Sequence, residues 1–158
     1  MERNPITPEG YEILVEDLRV HKQVHRPDNV RQIEEARAHG DISENAEFDA
    51  AKDRQAELNG RIAMLENLVA NAQIIDVAKL PRNGRVVFGT TVVIENSDTG
   101  DEATWTIVGE TETDVAARRI SYKSPLAKAL IGKVEGDEAV VPAPGGTQRW
   151  EVVEVRYE

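Results

Sequence analysis

The chain has 158 residues, 40% hydrophobic, 30% charged and 4% aromatic, with a formal net charge of −10 and no cysteine. That length holds one or two small domains, and the lack of cysteine excludes disulfides and thiolate metal sites. No apolar run approaches the roughly 20 residues that span a bilayer, no signal-peptide pattern opens the chain, and so acidic a protein is a poor autonomous binder of duplex DNA.

The expected compartment is the cytoplasm. Most of the excess negative charge lies before Asp76, which favours attraction to a basic surface or channel. Thr7-Pro8 reads as an N-cap followed by proline at the first helical position. Tyr11, Leu14, Leu18, His21 and His25 then recur at three and four, a helical stripe. His21 and His25 share a spacing used by metal ligands, but their place on the stripe marks them as partly buried or surface histidines. Pro27 removes one backbone bond and predicts a kink or a restart. Val30, Ile33 and Ala36 carry the helix to about Ala38, and His39-Gly40 ends it.

The second helix is clearer. Phe48, Ala51, Gln55, Leu58, Ile62, Leu65, Val69 and Ala72 alternate steps of three and four, a heptad seam. A short link between two such helices makes them antiparallel, an αα-hairpin whose arms of about 30 residues reach roughly 45 Å. Beyond Gln73 the pattern turns β-branched. "RVVFGTTVVIEN", "ATWTIVG", "RRISY", "EAVV" and "WEVVEVRYE" read as strands, with Pro144-Gly145-Gly146 as a hairpin turn. Ser124-Pro125 starts one short helix, Leu126 to Ile131, which Gly132 stops. The expected fold is α+β: a coiled-coil hairpin over 1–77 with its tip at 40–47, then a small antiparallel sheet domain over 78–158.

Between the helices, residues 41–49 collect Asp41, Glu44, Glu47 and Asp49. One reading is structural. Asp41 at N-cap with Glu44 three residues later is the carboxylate form of a capping box, and first-turn acids suit the helix dipole. The other reading is functional. Carboxylates three apart share a helix face, and two of them cannot fill an octahedral Mg²⁺ shell. They suit a metal site whose remaining ligands belong to another macromolecule.

"EARAHGDISENAEFDAAKDRQ", "NAQIIDVAKLPRNGRVVFGTTV" and "SPLAKALIGKVEGDEAVVPAPGG" occur in the order and spacing of the bacterial Gre factors, the transcript-cleavage factors of RNA polymerase. The resemblance covers essentially the whole chain. It is nearer the GreA branch than GreB, because Asp53, Glu57 and Glu66 dilute the basic residues Lys52, Arg54 and Arg61. The resemblance implies that the coiled coil enters the secondary channel of bacterial RNA polymerase. Its tip then stimulates the polymerase's own cleavage of backtracked RNA at the extruded 3′ end. Asp41 and Glu44 match the functional carboxylates and would help hold the second catalytic Mg²⁺ in the complex, the free protein binding it only weakly. The second domain would be FKBP-like and grip the channel rim, with Ser124 and Pro125 in that contact or, equally on the residues, a plain helix cap. Lys52 and Arg54 would face the RNA or be exposed salt-bridge partners. One copy per channel implies a functional monomer.

Two other functions fit the same architecture. A Gfh-like inhibitor would block the channel, but the intact Asp41-x-x-Glu44-Asn45-Ala46-Glu47 favours cleavage. A prolyl isomerase would need an aromatic-lined pocket, and the second domain offers only Phe88, Trp105, Tyr122, Trp150 and Tyr157.

Overall fold

The computed structural model describes residues 3–40 and 45–158. The elements run β1 (Asn4–Ile6), α1 (Pro8–Val20), a π-helical segment (His21–His25), α2 (Arg26–Ala38), α3 (Ala46–Ala70), β2 (Ala72–Ile74), β3 (Thr91–Asn96), β4 (Glu102–Val108), β5 (Arg119–Ser121), α4 (Pro125–Leu130), β6 (Glu138–Ala143) and β7 (Gly146–Arg156). They form two compact units. One holds residues 11–72, and the other holds residues 3–10 together with 73–158. This division differs from the single boundary drawn at 77/78, because β1 pairs with β2 and carries the chain start into the second unit.

In the first unit the α3 seam is as its periodicity dictates. Ala51, Ile62 and Leu65 are buried, and Phe48, Gln55, Leu58 and Val69 are half-buried. The opposing arm departs from expectation at one place. Pro27 lacks an N–H and crowds the preceding turn, and the chain answers with a π segment, in which the Arg26 N–H donates to the His21 carbonyl five residues back. The extra residue shifts the helical phase. Asn29 faces the seam at 2% exposure, whereas Val30 turns outward at 45%. The helix continues through the proline with Ile33 and Ala36 buried, so a restart is found without a break.

The second unit is built on a five-stranded sheet of order β5-β4-β3-β7-β6. Its pairs are antiparallel except β4 with β5, an added parallel edge pair. Of "RVVFGTTVVIEN", only Thr91–Asn96 is strand; Arg85 makes a lone bridge to Val134. A bulge between Val93 and Ile94 sets Val93 opposite Glu154 and Ile94 opposite Val152. Both Val152 and Val155 therefore face inward, three apart, and Val153 is left exposed. Pro144 and Gly145 make the two-residue turn between β6 and β7, with Gly145 at φ 85°. Ser124 caps α4 through an Oγ that accepts from the Ala127 N–H at 3.2 Å. Ala127 and Leu130 of that helix join Val92, Ile94, Ile107 and Val152 in one core.

A carboxylate that the sequence did not single out joins the start of the chain to this unit. The Glu112 side chain, only 5% exposed, accepts from the Thr7 and Gly109 N–H groups at 3.1 and 3.0 Å. It also accepts from the Thr7 hydroxyl and from Arg119 Nη2. Gly10 leaves room for it, since a methyl group there would overlap the carboxylate and force it to move. Thr7 Oγ1 in turn accepts from the Gly10 N–H at 3.1 Å, so the expected N-cap of α1 is present.

Candidate functional site

The turn between α2 and α3 is assembled from both helix ends. Helix α2 closes with the His39 N–H donating to the Ala36 carbonyl and the Gly40 N–H to that of Arg37, both at 3.3 Å. Gly40 has φ 101°, the left-handed conformation that favours glycine. Asp41 and Glu44 lie outside the described residues.

Helix α3 starts at Ala46, and its N-cap is Asn45, not Asp41. The Asn45 carbonyl oxygen accepts from the Phe48 N–H at 3.1 Å, while its amide donates to the Ala36 carbonyl of the facing helix. One side chain thus caps α3 and ties it to α2. The sequence held the signal, since Asn45 stands three residues before Phe48, but the neighbouring acids were the more conspicuous candidates. Glu47 and Asp49 occupy the first turn, where the helix dipole favours them. Glu47 also meets His39 Nδ1 at 3.0 Å, and the Arg37 guanidinium lies 5.8 Å from the centre of the Phe48 ring.

Below the turn the arms are cross-linked by polar bonds. Asn29 Nδ2 donates to the Ala51 carbonyl at 2.9 Å. Arg54 reaches across to Gln32 Oε1 at 2.6 Å and to Asp28 at 3.5 Å. Lys52 instead donates to Gln55 on its own helix at 2.8 Å and is exposed. Toward the other end, Arg61 pairs with Asp17 at 2.9 Å and Lys22 with Glu66 at 3.4 Å. His21 Nδ1 lies 2.8 Å from the Asp17 carbonyl, and its ring meets His25 edge-on at 5.1 Å. Among the described residues no group of three or more His, Asp or Glu is placed to hold a metal ion.

In the second unit, Ser124 and Pro125 start α4 as a cap and first-turn proline. The aromatic residues serve packing. Trp105, Tyr122 and Trp150 lie against the core, Tyr157 is within it, and Phe88 contacts Tyr122 edge-on at 5.9 Å. No helix among the described residues is long and apolar enough to cross a membrane.

A helical hairpin with a capped, acid-bearing turn, followed by a curled sheet, is the class of protein that known families delimit further. The N-terminal domain of transcription elongation factors matches residues 4–74, and the C-terminal domain of GreA/GreB elongation factors matches residues 81–157. Transcription elongation factor GreA of Hyphomonas neptunium is 52% identical over 158 residues, covering all of both chains. GreA of Methylococcus capsulatus is 52% identical over 157 residues, 99% of each. Among solved structures, the GreA factor homolog Gfh1 of Thermus thermophilus aligns at 26% identity and a TM-score of 0.43 over 98% of this chain and 99% of its own. The chain belongs to the GreA/GreB family of transcription elongation factors.

Proposed function

We propose that the protein enters the secondary channel of bacterial RNA polymerase and stimulates the polymerase's own cleavage of backtracked RNA. It would lend carboxylates to that reaction and perform no autonomous turnover. The observation that carries this reading is the cap of α3. Asn45 supplies the side-chain oxygen that the helix start needs, so capping leaves Asp41 and Glu44 unaccounted for. Membership of an elongation-factor family, with relatives named GreA at about half identity over the whole chain, supplies the setting. Such a setting is cytoplasmic.

Carboxylate oxygens are the donors that Mg²⁺ prefers, and Asp41 with Glu44 are the residues that would hold it. When bound, Mg²⁺ activates water and offsets charge on the oxygens of phosphoryl transfer. The chain's own task is delivery. The antiparallel arms carry the turn, Gly40 and Asn45 fix where each helix stops, and Glu47 is engaged by His39. Lys52 and Arg54 would face the extruded RNA 3′ end, Arg54 also bracing the arms through Gln32. The second unit would supply affinity through the α4 start at Ser124 and Pro125, with one monomer acting per polymerase.

The test is RNA length on a backtracked elongation complex, with and without the protein, across a magnesium titration. Asp41→Asn or Glu44→Gln should remove stimulation by at least about a hundredfold, the scale of losing a group that stabilises the transition state, while polymerase binding persists. Equal loss of binding and cleavage would make the turn a docking element. Slowed elongation without RNA shortening would mark a channel-blocking inhibitor instead.

A further inference from the structure

Among the described residues two polar residues are buried, Asn29 and Thr90, and of these Asn29 lies in the hairpin. A seam position asks for an apolar side chain. Leucine there would bury more apolar surface and stabilise the pair of helices. Asn29 instead spends its amide on one partner, the Ala51 carbonyl of α3, at 2.9 Å. That acceptor is a backbone atom, so its height along α3 is set by the helix itself. The bond therefore defines how far one arm stands along the other.

The surrounding layers define it less closely. Ile33 is buried one turn on, but Ala36 and Ala51 are small side chains that resist sliding weakly. A slip of one helical turn is about 5.4 Å. It would set the amide against Phe48 or Gln55, whose longer side chains occupy the seam where the Ala51 methyl group leaves the carbonyl open, and so leave a polar group buried without a partner. The phase shift of the π segment is what turns Asn29, in place of Val30, into the seam. Arg54, bonded to Gln32 and Asp28, brackets the same stretch of α2.

We propose that Asn29 is a positioning residue. Its amide pins α2 against α3 in one register, and so fixes how Gly40 and Asn45, the helix ends on either side of the turn, stand relative to one another, at a cost in hairpin stability. The pin acts through the turn and touches neither metal nor RNA. The proposal rests on the cleavage-stimulating function set out above.

The test uses the full chain on backtracked elongation complexes. Asn29→Leu should melt at the same or a higher temperature and compete for polymerase within about twofold of the native protein. Its cleavage rate at saturation should fall on the order of tenfold, because small misplacements of a catalytic group are costly, with the half-saturating concentration unchanged. The chain has no cysteine, so spin labels at Glu34→Cys and Asp53→Cys read register directly. Their distance distribution should be narrow natively and shifted or broadened in Asn29→Leu. Joining Glu35→Cys to Ala50→Cys, which border one hollow between the arms, with a short thiol linker in the Asn29→Leu background should restore the saturated rate.

Native cleavage and native label distances in Asn29→Leu would overturn the proposal. So would parallel loss of melting temperature, binding and cleavage that the linker does not repair. If leucine prevents folding, Asn29→Ala removes the same donor with less bulk, and the same outcomes apply. Failure of the underlying function is separable: Asp41→Asn with Glu44→Gln would then cleave like the native protein, while the label distances still report on the pin.

Discussion

The hairpin and the sheet unit solve opposite packing problems with the same kinds of side chain. In the sheet unit, Val92, Ile94, Ile107, Leu130 and Val152 come from three strands and a helix and are all fully buried in one cluster. Each is held from several directions. In the hairpin, a seam residue packs on the facing arm, and from Ile62 and Leu65 toward the turn the buried seam becomes Ile33 with the small Ala36 and Ala51. The ion pairs follow suit. The Glu112 side chain is buried and held by two backbone donors and the partly exposed Arg119, whereas Glu16 and Arg19 pair on an open helix face. Stability in the sheet unit is thus cooperative, and in the hairpin it is local and falls toward the turn. Toward the turn the arms are held by polar bonds as well as by bulk.

The largest test of that contrast is Ile107→Ala, expected to cost about 2–5 kcal/mol in urea unfolding because its neighbours cannot collapse into the space. Ala51→Gly in the hairpin should cost about 1 kcal/mol, the ordinary loss for glycine inside a helix, and speed amide exchange mainly around the turn. If both substitutions lowered a single transition equally, the two regions would not differ in cooperativity.

Next in size is Glu112→Ala. It orphans the Thr7 and Gly109 N–H groups, for which about 1–3 kcal/mol is expected in the same measurement. Exchange should rise first at Thr7 and Gly109. A smaller effect, about 1 kcal/mol, belongs to Asn45→Ala, the loss of one N-cap. Its amide exchange should increase over the first turn of α3, while Asp41→Ala leaves that turn unchanged. The reverse result would restore Asp41 as the cap and weaken the functional assignment of the acids.

The sequence made some of this legible and hid the rest for identifiable reasons. The α3 seam could be read because an uninterrupted helix keeps one period, and every position from Phe48 to Val69 behaves as that period requires. The facing arm could not be read past Pro27, because a π turn adds a residue that no periodicity announces; Val30 and Asn29 exchange places as a result. The helix start at Thr7 and the α4 start at Ser124 were visible as cap-and-proline pairs. Glu112 was invisible because its donors, Thr7 and Arg119, lie 105 and 7 residues away and only the fold collects them. The matched motif drew attention to Asp41 and Glu44, whereas local chemistry gave the cap to Asn45.

The smallest expected effect sharpens the contrast between the two ion pairs. The Glu16 carboxylate accepts from Arg19 Nη2 and Nε at 2.6 and 2.9 Å. This hydrogen bonding, aided by the positive charge, holds its carboxyl below the ordinary glutamate value and raises Arg19 above its own. A depressed carboxylate contributes stability above its unfolded pKa and loses it as pH falls through the folded value. The pair should therefore add to α1 at neutral pH and stop doing so in acid. Because both side chains are open to solvent, the gain is screened and small. The carbon-13 titration of Glu16 should have its midpoint below that of an unfolded glutamate, and 0.5 M salt or Arg19→Gln should move it upward, with melting temperature scarcely changed. A midpoint at the ordinary value, insensitive to salt, would mean that the pair confers nothing in solution. A large fall in melting temperature for Arg19→Gln would mean that an exposed pair on the hairpin rivals the buried Glu112, and the division between the two regions would no longer follow from burial.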